Sequence, residues 1–569
     1  MHALVRKVKK VLKAINFSNL KSFCKYIKDN GLKGLYSKCI NKIKFGQAVL
    51  DDYAAWMLNN EPNEVELEKQ KKYNSCQSLK FEIICNKNED LISSLNEQTY
   101  SGYTISYLED KNIYDIVMNS KSDYIIIVKD NIRLLPFSLY EIVKSIEYRD
   151  SILIYTDNDN LIDGERKDPV FKPGFARDTI ISENYIGNFI VVKTNFLKVH
   201  NDILRNLNKN YIYDLIFQIS EKTRKIEHIQ KILYSELNQN LEIDVVDEKQ
   251  IIEKHLKRCG LRFESIEDGK YKGQYKVNYI INGEPLVSLV IPNKDHIDDL
   301  EKLIKSVEKS TYKNYEIVIV ENNSENKETF IYYDKIKKEN SKIKVIKYDI
   351  EYFNYSAIVN FGVENSSGEY IILLNNDIEI ITSSWIEEML MYAQRKDVGI
   401  CGAKLYFSDR SIQHAGVTIG TRGLAGHRYR EVEEKEFNEK DYINIVQDLS
   451  AVTAACFMVS KQLYIDMLGF DEKLAVAFND VDFCLKVRAS KYLVVYNPFV
   501  EAYHYESKSR GEDTENPEKQ KRFAKEYELF VKRWSKVIIK GDPYYNKNYR
   551  LDTDLPKINY NRIYERRSQ

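Results

Sequence analysis

Carboxylates that end buried strands or open helices can hold a hard cation or accept a proton, and this chain sets several at such places. Asp377 ends the run YIILLNND directly after an apolar stretch, with Asn376 beside it and Glu379 two residues on. Alternation along a strand could aim Glu379 to either side. Glu321 and Asn322 end YEIVIVEN, and Pro292 and Asp295 lie in VIPNKD. Asp480 stands in FNDVDFCLK, where Phe478, Val481, Cys484 and Leu485 recur at helical spacing; it reads as an acid at a helix start, facing a cleft. Such a group can deprotonate a hydroxyl, and Asp482 is the alternative base. His504 lies in YHYESKSRG, a strand end running into a loop. Its imidazole could complete a metal shell or touch a phosphate, and Lys508 and Arg510 could bind phosphate oxygens.

The elements that must position these groups follow from hydrophobic patterning. LVSLVI (286–291), YEIVIV (315–320), KIKVIKY (342–348) and YIILL (370–374) read as strands. Helix-period segments at 297–309, 327–340 and 355–363 separate them, which means βαβ units and a mostly parallel sheet. Ligands of such sheets bind beyond the carboxyl ends of the strands, where Asp295, Glu321 and Asp377 all fall.

The pattern occurs twice. SDYIIIVKDNIRL from Ser122 aligns without gaps to GEYIILLNNDIEI from Gly368, and ICNKN (84–88) to IPNKD (291–295). In this alignment Asn131 faces Asp377, Ile212 faces Asp480 and Ser235 faces His504. The first copy also lacks one βα excursion before Asn131. An isoleucine accepts no proton and a neutral amide is a poor ligand for a hard cation, so the first copy is expected to be catalytically silent. The domains expected are a basic amphipathic helical segment at 1–45, a degenerate copy at 46–246, a polar connector at 247–283, a complete copy at 284–540 and a tail at 541–569.

Composition sets the outer limits. Of 569 residues, 85 are Lys or Arg and 85 Asp or Glu, so the formal charge is zero and a chain basic throughout, built to coat nucleic acid, is excluded. Residues 1–45 nevertheless hold 12 basic residues against the single acid Asp29, with Leu4, Val8, Val11, Leu12 and Ile15 at helical spacing. That is the pattern of a helix lying on a membrane surface, or of one packed on its own protein. Eight cysteines without a C-x-x-C pair argue against a zinc site or a disulfide framework. No run of eighteen apolar residues and no secretory leader are apparent, so the expected place is the cytoplasm, with peripheral contact at the inner face of the cell membrane.

VSLVIPNKD, IVIVENNS, NYSAIVNFGVENSSGEYIILLNNDIEI, IQHAGV, VTAACFMVSK, FNDVDFCLK and HYESKSRG occur in one order over about 230 residues. In these the second copy resembles the bacterial family 2 glycosyltransferases of the GT-A fold, of the rhamnosyltransferase and O-antigen type. VFKPGF (170–175) and ENYIGNF extend the resemblance to the first copy. The resemblance implies two GT-A domains in tandem and an inverting transfer from a nucleoside-diphosphate sugar to a hydroxyl of a cell-surface glycan, lipid-linked glycan or glycoprotein. Asp480 would be the general base, and Asp377 with His504 would hold Mn²⁺ or Mg²⁺. Pro292, Asp295, Glu321, Asn322, Asn376, Lys508 and Arg510 would bind the nucleotide, and His414, His427 and Asp482 would lie on the acceptor side. Two departures are Glu321 where the family carries Asp, and Asn479-Asp480 where it carries Glu-Asp. A non-catalytic glycan- or nucleotide-binding scaffold is the competing reading. A nucleotidyltransferase would want a glycine-rich phosphate loop after the first strand, which PNKDHIDD does not offer.

Overall fold

The computed structural model describes residues 52–73, 79–129, 131–205, 207, 209–237, 245–436, 442–505 and 517–560. The segment 1–45, Lys508 and Arg510 lie outside them. The chain is α/β and builds two large sheets. The first contains β1 (Phe81–Cys85), β2 (Tyr103–Tyr107), β3 (Tyr124–Val128), β4 (Ile132–Leu134), β5 (Leu153–Ile162), β6 (Glu165–Val170), β7 (Phe189–Lys193) and β8 (Ile226–Glu236). A hairpin of β9 (Phe263–Asp268) and β10 (Tyr275–Tyr279) follows. The second sheet contains β11 (Val287–Asn293), β12 (Tyr315–Glu321), β13 (Ile343–Lys347), β14 (Tyr370–Leu374), β15 (Ile378–Ile380), β16 (Val398–Tyr406), β17 (Ile412–His414), β20 (Gln447–Asp448), β21 (Cys456–Ser460) and β22 (Leu493–His504). The short strands β18 (Val417–Ile419) and β19 (Ala425–His427) pair with each other.

The main strands of the two sheets share one spatial order. The first runs β2-β1-β3-β7-β5-β8-β4 and the second β13-β12-β11-β14-β21-β16-β22-β15. Only the edge strand β13 lacks a counterpart, and it belongs to the excursion absent from the first copy. In the second sheet β13, β12, β11 and β14 are parallel, and β21 then enters antiparallel between β14 and β16. The strands are continuously apolar because helices cover both faces. The helix Tyr355–Glu364 lies so close to the sheet that a Cβ on Gly362 would stand 2.4 Å from Val290 Cγ1 and 2.8 Å from Val320 Cγ2. Only glycine permits that approach.

The segment 247–283 is more than a connector. It forms the helix Val245–Arg258 and the β9–β10 hairpin, which bury Ile251, Ile252, Leu256, Tyr275, Val277 and Tyr279 in the same core as the sheets. A buried charge cluster joins the two halves: Arg395 reaches Asp178 and Asp397, and the Asp178 N–H donates to Asp448. The tail is a strap across both. Asp542 accepts from the Ile419 N–H (2.8 Å) and the Ser450 hydroxyl (2.7 Å), and Asn546 donates to Asp157 of β5 (3.0 Å).

Candidate active site

The carboxyl rim of the second sheet gathers Asp377, His504, Asp480 and Tyr355. β14 ends at Leu374, and the turn Asn375-Asn376-Asp377 leads into β15, which pairs with the end of β22 so that Ile378 faces His504. The Tyr505 N–H donates to the Asp377 carbonyl at 3.0 Å. His504 Nε2 consequently lies 3.3 Å from Asp377 Oδ1 and 3.3 Å from Asn375 Nδ2, although 127 residues separate the acid from the imidazole. His504 is buried, and its Nδ1 has no hydrogen-bond partner among the described residues.

Asp480 arrives from the opposite side, in the first turn of the helix Asn479–Ala489. Its Oδ2 accepts from the Ala454 N–H at 3.2 Å, and the next residue, Ala455, accepts from the Asn375 N–H at 3.1 Å. One turn thus ties both acids. Phe478, just before this helix, has φ +63°, a backbone conformation costly for an aromatic residue and held by its neighbours. Tyr355 donates to Asn375 Oδ1 at 3.1 Å. Burial, then the charges of Asp480 and Asp377, hold its hydroxyl well above the usual phenol range. The sequence pattern does not mark Tyr355 as a site residue. Its signal is NYSA, in which the Asn354 side chain accepts from the Ala357 N–H and fixes the helix start.

The other candidates separate by what their side chains touch. Asn376 donates to Asn293 (2.7 Å), Asn293 to Tyr333 (2.7 Å), and Tyr333 to Glu321 (2.7 Å). Glu321 is 2% exposed and also takes the Ser324 N–H and hydroxyl, both at 2.6 Å. Its carboxylate organises the loop after β12. Asn322 is likewise buried and donates to the Tyr348 carbonyl. Asp295 accepts from the N–H groups of Asn326 (3.0 Å) and Glu325 (3.1 Å) and from the Thr329 hydroxyl (3.1 Å). Burial pushes its carboxyl up, but those donors together win, and it lies below its ordinary range. Pro292 is half-buried within β11. Beside this loop a cavity of 510 Å³ is lined by His296, Asp299, Lys302, Asn326, Glu328 and Thr329 among others. Glu379 accepts from the Tyr505 hydroxyl at 2.6 Å.

Two of the acceptor-side candidates are taken up by internal contacts. Asp482 is buried, its Oδ1 taking Arg533 Nη1 (2.7 Å) and Trp534 Nε1 (2.8 Å), so it binds the helix Pro517–Lys540 and no external hydroxyl. Its counterpart Asp214 is buried beside Arg258, 3.6 Å away. His414 is fully buried, and its Nε2 faces the N–H groups of Gly416 and Thr453, each at 3.3 Å. Those donors place its proton on Nδ1, which meets His427 Nδ1 at 2.8 Å. Burial, then His427 and His504, hold the His414 imidazole well below its usual range. It supports the turn at 453–455 from behind, while His427 is half-buried.

The first sheet's rim differs in each of these groups. The Leu237 N–H donates to the Asn131 carbonyl at 2.9 Å, the same contact that Tyr505 makes to Asp377. Ile132 pairs with Glu236, so the counterpart of His504 is Glu236 and not Ser235. Ile212 is fully buried. Lys129, the counterpart of Asn375 in the repeat, donates to Asn210 (3.0 Å), and Asn210 to Glu248 (2.8 Å).

Comparison with known proteins places the second half of the chain. The chain matches, over residues 288–468, the family model described as Glycosyl transferase family 2. It is 35% identical over 449 residues to the uncharacterized protein y4gI of Sinorhizobium fredii, covering 76% of this chain and 49% of that one. It is 31% identical over 432 residues to the O-antigen biosynthesis protein RfbC of Myxococcus xanthus, covering 74% of this chain and 33% of that one. The chain therefore spans half or less of the length of these relatives. Among solved structures, GalNAc-T7 with UDP, GalNAc and Mn²⁺ aligns with a TM-score of 0.36 and 15% identity, over 48% of this chain and 52% of that one. The mannosyltransferase PcManGT of Pyrobaculum calidifontis with GDP-Man and Mn²⁺ aligns with a TM-score of 0.33 and 12% identity, over 52% and 74%. No helix among the described residues is long and apolar enough to cross a membrane.

Proposed function

We propose that residues 284–540 transfer a sugar from a nucleoside-diphosphate sugar to a hydroxyl of a cell-surface glycan, lipid-linked glycan or glycoprotein, with inversion at the anomeric carbon. The observation that supports this reading is the turn at 453–455, whose Ala454 N–H binds Asp480 and whose Ala455 carbonyl accepts from Asn375, two residues before Asp377. Asp480 takes the proton of the acceptor hydroxyl as its oxygen attacks the anomeric carbon and the bond to the diphosphate breaks. Tyr355 stays protonated and holds Asn375 beside both acids.

Asp377 and His504 suit a divalent cation, Mn²⁺ or Mg²⁺. A carboxylate oxygen and an imidazole nitrogen 3.3 Å apart match the roughly 3 Å that separates neighbouring ligands around such an ion. Bound there, the ion would offset the charge of the departing diphosphate. Asn376, and Asp295 with the cavity beside it, suit the nucleoside end, and His427 the acceptor side. The first unit, with Asn131, Lys129, Ile212 and Glu236, serves as a non-catalytic partner of the second. The name of the Myxococcus xanthus relative favours an O-antigen-type acceptor.

The test is release of nucleoside diphosphate from a panel of nucleotide sugars by the full chain, with and without Mn²⁺. Turnover of one donor that falls about 10²- to 10⁴-fold in Asp480→Asn is expected. Equal turnover in the variant would refute the assignment.

A further inference from the structure

The helix Pro517–Lys540, the longest among the described residues, has eight basic residues against three acids, and its two faces differ. One face packs on the candidate active site. Phe523 and Phe530 lie 5.5 and 5.1 Å from the Phe478 ring, and the Glu526 carboxylate accepts from the N–H groups of Val476 (3.1 Å) and Ala477 (2.9 Å). Arg533 and Trp534 hold Asp482, two residues beyond Asp480. The helix is thereby the backing of the segment that presents the candidate base.

The other face is exposed. Lys521, Lys525, Lys532 and Lys536 are exposed and make no ion pair among the described residues. At 3.6 residues per turn they fall within about a sixth of the helix circumference, opposite Phe530. Ile539, 85% exposed, falls on the same stripe; Glu528 and, in the first turn, Glu518 are the acids there. The whole chain is electrically neutral, so this row of lysines is a local concentration of charge and not a share of a general excess.

We propose that this lysine face seats the protein on an anionic phospholipid surface, with Ile539 entering the headgroup boundary. Charge alone would serve any polyanion; an exposed isoleucine set in the row gains free energy only where acyl chains lie beneath the charge. Because the opposite face backs Phe478-Asn479-Asp480, seating would turn the active-site rim toward one side of the bilayer. The inference does not depend on which sugar is transferred, or on whether one is.

The experiment is co-sedimentation of the full chain with vesicles of phosphatidylcholine alone or mixed with phosphatidylglycerol, across a salt series. Binding to the mixed vesicles that weakens with salt is expected. Each lysine near an anionic leaflet is worth roughly fivefold, so Lys521→Glu/Lys525→Glu/Lys532→Glu/Lys536→Glu should lower partition by about 100-fold or more. The four positions lie on a solvent face, so its circular dichroism and melting should match the parent. Full binding by this variant would place the attachment elsewhere, residues 1–45 included, and overturn the proposal. No binding by the parent would also overturn it. Ile539→Ser should weaken vesicle binding severalfold. Undiminished vesicle binding by Ile539→Ser would overturn the lipid assignment.

Discussion

Asp480 and Asp482 lie two residues apart on one helix in different surroundings, so under the proposed function exchanging each for asparagine should separate stability from turnover. The Asp482 carboxylate is buried with a charge-assisted bond from Arg533 and a second from Trp534, and Lys486 lies 3.8 Å from its other oxygen. Asparagine keeps one acceptor for Arg533 and Trp534 but removes the charge, and turns an amide toward Lys486. Charged hydrogen bonds are worth about 1.5–3 kcal/mol each, and part of this one survives, so a loss of about 2 kcal/mol is expected. Asp480→Asn loses at most one backbone bond, about 1 kcal/mol, but removes the proton acceptor. Urea unfolding followed by fluorescence, beside nucleoside diphosphate release well below the unfolding midpoint, reads both effects. Asp482→Asn should lower the midpoint and keep turnover per folded molecule within about tenfold, while Asp480→Asn should do the reverse. An Asp482→Asn protein that melts normally and does not turn over would refute this division.

Two further outcomes follow from the rim. The Asp295 carboxyl lies below its ordinary range, so it contributes stability above pH about 4, lost as pH falls through the lower folded value. The gap in melting temperature between the parent and Asp295→Asn should therefore be widest near neutrality and close in acid, and a pH-independent gap would contradict this. Tyr355→Phe removes the hydroxyl that orients Asn375 and should lower turnover about fivefold, the worth of one neutral hydrogen bond. The pH profile should keep its shape through neutrality because that hydroxyl is held above its usual range; a lost basic limb would make Tyr355 itself the titrating group.

The order of strands and helices from 286 to 374 was readable because continuous apolar runs, punctuated by Asn- and Asp-rich turns, carry the period of a buried parallel sheet. The places of Asp377 and Asp480 were readable for the same reason, since a strand end and a helix start are local features. Partners distant in the chain were not. Glu321 reads as ligand-facing at the end of β12, but Asn323 at φ +56° turns the chain so that Ser324 caps its carboxylate. Asp482 is explained by Arg533, 51 residues on, and no local pattern announces that pair. The match of His504 to Ser235 slipped by one residue. β5 and β16 each shift register against β8 and β22, and a one-residue slip changes every facing pair while leaving the motif recognisable. The tail carried no period because it is a strap held by single side chains such as Asp542 and Asn546.

The most direct test is photolabelling of the full chain with an azido nucleoside diphosphate and Mn²⁺, the labelled peptide being identified by mass spectrometry. Label in the loops after β11, β12 or β14, lost on addition of unmodified nucleotide and reduced in Asp377→Ala, is the expected result. Specific label in the rim around Asn131 and Glu236 would contradict the assignment of the chemistry to the second half of the chain.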